Sequence, residues 1–451
     1  MDGMSPDPSL SPAYPGPRSA GMLARLKQLV LTEPWPFVVD LENSLGMTLA
    51  TVDGQRLFDW AGYYASKLIG HNHPRLAEPD YTRRLVLAAN NKLANPDFLT
   101  PECLEYYELL YSLAPVCMRN EQLEVYALNS GAEAVENMLK YFIVLKNQRL
   151  LRAGRQSGTH RIIYFDQAFH GRTIYTLNVT ELSHDPIATK DFRGFAPGNV
   201  QVMFPAVDTS RPAAENRART ERSLEVIEET LARYGQEVAG IVVEPIQGAG
   251  GHRVAEPEFF RRLSALAHQY GVSLGFDEVQ TAGGQTGTFF AIDQYDLPHP
   301  PTAVAVAKKL GNGAIYMLKP MDDVGVLDST WGGSLADMVR FGQEMRVVRD
   351  EGLIEAVPAK AARLCAGLEA LAARWSKTIY NVRGMGLYQG FSFRRPEDKR
   401  AFQSHALQKE DLLLLGAGTH SIRLRPNLGV TEAEIDRLLE IMERCLQALP
   451  L

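Results

Sequence analysis

Two stretches of this chain place chemically useful side chains where apolar runs end. Gly275-Phe276-Asp277-Glu278-Val279-Gln280 sets a carboxylate behind one such run, and Lys308 closes the next. Polar groups at the carboxyl ends of strands in an α/β sheet face the crevice in which these sheets bind ligands. A carboxylate buried there needs a cationic partner, because an unpaired buried charge is costly. A lysine amine there can form imines with carbonyl compounds, and its pKa falls readily on burial. Taken alone, the two residues read more simply as a helix cap and a solvated amine.

Two further stretches change that balance. Asn129-Ser130-Gly131-Ala132 joins an apolar run to an amphipathic one, so unpaired backbone N–H groups and the positive end of a helix are presented together, as a phosphate requires. By itself this also describes an ordinary N-cap. Phe169-His170-Gly171-Arg172 offers an aromatic face that can stack on a planar heterocycle, beside a guanidinium that can clamp a carboxylate. Singly, Phe169 reads as a core residue.

The elements that must hold these groups follow from hydrophobic periodicity. Apolar runs at 123–128, 161–165, 238–243, 272–276 and 303–307 are separated by helix-length stretches, which predicts buried strands in a mainly parallel α/β sheet. Helical spacing over 132–146 and a proline-led acidic turn opening 257–270 predict crossover helices. After Thr330 the pattern changes to long helices over 334–350 and 353–375. Short strands near Ile379, Leu387 and Ile422 follow, then a closing helix from Thr431, which together predict a smaller α+β domain. Leading strands over 37–41 and 48–52 are expected to join or bridge to it.

The predicted organisation is therefore a proline-rich arm over residues 1–20 and an N-terminal segment over 21–69 packed with the small domain. A large domain over 70–333 and a small domain over 334–451 complete it. The arm has no apolar core of the kind a signal peptide needs and is read as neither leader nor helix.

Composition excludes several classes. With 451 residues, 45% apolar and 22% charged, the chain has ample core material, and no run approaches the roughly 18 apolar residues of a membrane span. A net charge of -6 without a dense basic tract argues against nucleic-acid binding. The 4 cysteines lack metal-ribbon spacing, which suits a reducing cytoplasm. His71 and His73 before Pro74 suggest a turn, and no metal site is expected. GxxxxGK, GxSxG and GxGxxG signatures are all missing.

Read together, Asn129-Ser130-Gly131-Ala132, Phe169-His170-Gly171-Arg172, Glu244-Pro245-Ile246-Gln247-Gly248, Phe276-Asp277-Glu278-Val279-Gln280, Ala307-Lys308-Lys309 and Ser329-Thr330-Trp331-Gly332-Gly333 occur in the order and approximate spacing of the class III, or omega, aminotransferases. Gly70-His71-Asn72-His73-Pro74 and Arg423-Leu424-Arg425-Pro426 extend the resemblance over nearly the whole chain after the arm. It implies a PLP-dependent transferase of fold type I, a homodimer with shared active sites, and pyridoxal 5'-phosphate held as a Schiff base on Lys308, with Lys309 the competing candidate. It further implies that Asp277 holds the pyridinium nitrogen protonated and that Gln280 bonds the phenolic oxygen. Phe169 and Val279 would sandwich the ring, with the phosphate bound by Ser130, Gly131 and Ala132 of one subunit and Thr330 of the other. Arg423 would grip the α-carboxylate of 2-oxoglutarate and Arg172 a distal carboxylate, while Arg425 packs structurally.

Within the class the chain looks most like L-lysine 6-aminotransferases, through Asn90-Asn91-Lys92-Leu93-Ala94-Asn95, the paired lysines and Ser329-Thr330-Trp331-Gly332-Gly333. One departure stands out. Many class members carry, just after Glu-Pro-Ile-Gln-Gly, a glutamate that pairs with the arginine matching Arg423; here that place is Ala249. The enzyme is then expected to accept α-amino donors, or a donor or acceptor other than the standard pair. Other reactions on the same scaffold (racemase, aminomutase, decarboxylase) and a non-catalytic binding protein remain the alternatives.

Overall fold

A computed structural model describes residues 14–449 apart from Ser157 and Arg193, so positions 1–13 of the expected arm lie outside the described residues. The arm as drawn to residue 20 needs correction, because Pro17–Leu29 is helical. Pro17 opens it with φ preset for the first turn, and Gly16 provides no side-chain cap. The carboxylate of Asp53 supplies one, accepting from the backbone N–H of Arg18 at 2.7 Å and of Ser19 at 2.9 Å. A cap delivered from so far along the chain leaves no local signature.

The large sheet has seven strands: β1 Glu124–Leu128, β2 Arg161–Phe165, β3 Val200–Val202, β4 Val238–Val243, β5 Ser273–Asp277, β6 Ala303–Val306 and β7 Gly313–Met317, in the order β1-β7-β6-β5-β4-β2-β3. Only β7 runs against its neighbours. Strands β4, β6 and β7 are buried at every position, as expected where both faces of a sheet are covered. The sequence reading found β1, β2, β4, β5 and β6 within a residue or so and missed β3 and β7.

Helix α1, Gly131–Arg152, lies across this sheet, and two glycines let it approach. A Cβ on Gly240 of β4 would come within 2.2 Å of Phe142, and one on Gly275 of β5 within 2.6 Å of Met138 and Phe142. Because β1, β2, β4, β5 and β6 share one direction, the residues that follow each of them collect along a single edge. That edge carries every motif named above between Asn129 and Lys308.

The leading strands Val39–Leu45, Thr48–Thr51 and Arg56–Asp59 form a meander, to which Leu412–Leu413 adds a parallel strand. A further sheet, in the order Ile379–Met385, Tyr388–Phe393, Ser421–Arg423, Leu415–Ala417, is covered by the helices Val357–Arg374 and Pro396–Glu410, and both pack against Glu432–Gln447. The last begins with a reciprocal capping box between Thr431 and Glu434. No helix among the described residues is long and apolar enough to cross a membrane.

Candidate active site

At the collecting edge Ser130 caps α1, its Oγ accepting from the N–H of Glu133 at 3.2 Å. The N–H groups of Gly131 and Ala132 in the first turn have no intrahelical acceptor and lie at the positive end of the helix. Gly131 lets that end sit against the neighbouring strand ends, since a Cβ there would meet Val279 Cγ1 at 2.8 Å and Ala307 Cβ at 3.2 Å. Asn129 ties in a remote motif: its Oδ1 accepts from Gly333 N at 3.3 Å and its Nδ2 donates to Ser329 Oγ at 3.3 Å. Thr330, in that motif, is exposed and stands outside the cavity wall of its own chain; its carbonyl accepts from Asn95 Nδ2 at 3.3 Å.

Lys308 follows β6 in a left-handed conformation, φ 55°, which a non-glycine side chain adopts at a cost of about 1–3 kcal/mol. It lines a cavity of about 490 Å³ whose wall also includes Ser130, Gly131, Ala132, Phe169 and Asp277. Val279, Gln280 and Arg172 border the same space. Burial lowers the pKa of the Lys308 amine, the positive charge of Arg423 adds to the effect, and Asp277 opposes it. Lys309 is fully buried and turned elsewhere: its Nζ donates to the backbone carbonyl of Gln280 and lies 5.0 Å from the centre of the Tyr388 ring. Of the two candidate lysines, only Lys308 borders the cavity.

Asp277 is held at both oxygens. Oδ1 accepts from Val279 N at 3.0 Å, and Oδ2 accepts from Nδ1 of the buried His170 at 2.7 Å. Burial disfavours a charged His170, but the hydrogen bond and negative charge of Asp277 outweigh it and raise the imidazole pKa. Beside them Glu244, whose Oε1 accepts from Phe169 N at 3.0 Å, is pushed up to about 7 by burial, with His170 opposing and Asp277 reinforcing. The sequence reading quoted both His170 and Glu244 inside motifs and gave neither a role. The usable signal was their position in the segments that follow β2 and β4, Glu244 directly after its strand and His170 in the loop after Phe165. Glu278 faces away, accepting from Ile292 N at 2.9 Å and Ala291 N at 3.1 Å.

Gln280 is held by Arg425, which the sequence reading took as packing. Nε and Nη2 of Arg425 donate to Gln280 Oε1 at 3.2 and 3.0 Å. The space for this amide exists because position 248 is glycine, as a Cβ there would fall 1.9 Å from Gln280 Oε1.

The two arginines assigned to carboxylates differ in setting. Arg172 is exposed, lies over the Phe169 ring at 5.7 Å, and reaches Asp185 at 3.4 Å. Arg423, in Ser421–Arg423, is 8% exposed, and its Nε has no hydrogen-bond partner among the described residues. Burial brings its pKa down to about 10, with the Glu244 charge pulling the other way. Arg423 is outside the cavity wall, although its charge is felt at Lys308. Ala249 borders the cavity, and no carboxylate among the described residues forms an ion pair with Arg423.

Comparison with known proteins places this geometry. The family described as aminotransferase class-III matches residues 32–446. The L-lysine-epsilon aminotransferase of Amycolatopsis lactamdurans is 32% identical over 441 residues, covering 96% of each chain. The 4-aminobutyrate aminotransferase of Dictyostelium discoideum is 28% identical, covering 98% of this chain and 92% of its own. Among solved structures, lysine aminotransferase from M. tuberculosis in the internal aldimine form superposes with a TM-score of 0.88 at 30% identity, over 95% of this chain and 99% of that one.

Proposed function

This chain belongs to the class III aminotransferases, PLP-dependent transaminases, and from that premise we propose that it moves the terminal amino group of a diamino acid, best L-lysine, to 2-oxoglutarate, giving the semialdehyde and glutamate. The observation that carries the reading is the convergence of Lys308 and Asp277 on one cavity of about 490 Å³ whose floor is the start of α1.

The residues present fit pyridoxal 5'-phosphate. The capped helix start offers free N–H groups for a phosphate. Phe169 and Val279 border the space a planar ring would fill, and the doubly held carboxylate of Asp277 suits a protonated ring nitrogen. When bound, the cofactor supplies an electron sink for the carbon that bears the amino group. Lys308 Nζ, with its pKa lowered, takes the proton from that carbon and returns one in the reverse half of the cycle. Asp277, its oxygens held by Val279 N and His170 Nδ1, would pair with a protonated ring nitrogen. Gln280 donates to the phenolic oxygen. Arg423 binds the α-carboxylate of the acceptor, and Arg172 meets a distal carboxylate once it is released from Asp185.

The active unit is a homodimer in the cytoplasm, Thr330 of one subunit completing the phosphate site of the other. A second reading rests on Ala249. With alanine at 249, no carboxylate among the described residues forms an ion pair with Arg423, and the Glu244 charge acts on it only from its surroundings; while a terminal amine reacts, the guanidinium keeps its attraction for an α-carboxylate, and α-amino donors compete.

The test is a visible spectrum of purified protein on adding L-lysine and then 2-oxoglutarate. Loss of the yellow band followed by its recovery is the expected sequence. A band that L-lysine leaves unchanged while other amines bleach it removes lysine as the donor.

A further inference from the structure

The amide of Gln280 has two possible orientations, and its neighbours decide between them. A guanidinium only donates hydrogen bonds, and Arg425 directs both Nε and Nη2 at the same Gln280 oxygen, at 3.2 and 3.0 Å. That oxygen is therefore occupied, and the NH2 end, which has no partner among the described residues, is left to the cavity that Gln280 borders.

Arg425 is itself fixed from several sides. Its Nη2 also donates to His252 Nδ1 at 2.8 Å, its Nη1 donates to the Leu424 carbonyl at 2.8 Å, and its guanidinium lies 4.4 Å from the centre of the Tyr388 ring. The same ring receives Lys309 Nζ, which donates to the main-chain carbonyl of Gln280. One glutamine is thus gripped by two buried basic side chains, the Arg425 guanidinium at the amide and the Lys309 amine at the backbone, both lying beside one aromatic ring. No carboxylate among the described residues pairs with Arg425, so neutral oxygens, one imidazole and the ring are what it has in place of hydration. An arrangement that costly, placed on a single amide, is hard to account for as packing.

We infer that Arg425 is a positioning residue for transamination: it locks the Gln280 carboxamide with its NH2 toward the cavity, so that a hydrogen-bond donor always faces the phenolic oxygen of the cofactor, while Lys309 and Tyr388 hold the backbone in register. The inference rests on the cofactor reading above. The donor stabilises negative charge on that oxygen, so losing it raises the pH at which the cofactor's visible band changes.

The experiment titrates the visible spectrum of the holoenzyme with pH for the wild type, Arg425→Met, Gln280→Leu and the double variant. Each single change is expected to raise the midpoint by about one pH unit, the size of one hydrogen bond to a charged oxygen, and the double variant to rise no further. Gln280→Glu keeps the shape, gives Arg425 a counter-ion and still removes the donor; it is expected to fold at least as stably as the wild type and to shift the band as Gln280→Leu does. An unmoved midpoint in Arg425→Met, additive shifts in the double variant, or a wild-type midpoint in Gln280→Glu would each overturn the inference. A wild-type protein that shows no visible band when reconstituted with pyridoxal 5'-phosphate would remove the cofactor reading itself, a different result from any of these.

Discussion

His170 donates through Nδ1 to Oδ2 of Asp277 at 2.7 Å, inside a pocket where neither side chain meets solvent. The pair fixes the carboxylate in place, and through the imidazole it links the fold to pH. Because Asp277 raises the imidazole pKa in the folded chain above its ordinary value, the stabilisation is complete below that ordinary value, about 6.5, and fades as pH rises through the folded one. In urea denaturation, wild type should exceed His170→Leu most at pH 5.5, with the gap narrowing by pH 8.5. A gap that widens with pH would show that the imidazole is not proton-linked to Asp277.

The two adjacent lysines should separate cleanly. Lys308→Ala is expected to abolish the imine absorption band and lower turnover roughly 10²–10⁴-fold. Lys309→Met, which removes a buried amine outside the cavity wall, should keep the band. Loss of the band in Lys309→Met with its retention in Lys308→Ala would transfer the assignment to Lys309.

Gly248→Ala tests the space around the Gln280 amide. A Cβ would fall 1.9 Å from Oε1, so the side chain or the loop must move, at about 1–3 kcal/mol. Thermal denaturation should report that loss, and the pH midpoint of the visible band should shift with it. A variant as stable as wild type would show that the loop yields easily.

Ala249→Glu places a carboxylate on the cavity wall where Arg423 lacks one. The ratio of kcat/KM for L-lysine to that for an α-amino donor should rise by about 10-fold, equivalent to roughly 1.4 kcal/mol of altered charge complementarity. An unchanged ratio would mean that position 249 has no say in the choice of donor.

Arg172→Ala removes an exposed side chain whose ion pair to Asp185, its only one among the described residues, is long at 3.4 Å. Stability should change by less than about 0.5 kcal/mol. KM should rise for substrates with a distal carboxylate and stay level for shorter ones, which steady-state kinetics across a chain-length series would reveal.

Much of this protein was legible along the chain because its chemistry is local to strand ends. Buried strands leave apolar runs, and Ser130, Asp277 and Lys308 each follow one, so cup, carboxylate and amine could be named from position and motif alone. Strands β3 and β7 were not, for opposite reasons. Val200–Val202 is too short to show a period, and Gly313–Met317 is an apolar stretch whose direction only its partners settle. The helix from Pro17 was hidden because its cap comes from Asp53.

What tertiary structure alone decided are relationships between residues far apart in sequence. The motif favoured Lys308 and left Lys309 as its competitor; backbone geometry put the first at the cavity and turned the second onto Tyr388. His170 became the partner of Asp277 and Arg425 the holder of Gln280 through contacts spanning strands or sheets, and Arg423 proved to be buried with no ion pair among the described residues. Sequence spacing encodes which groups end a strand, whereas the direction a side chain takes from that end, and therefore its charge partner, depends on everything packed around it.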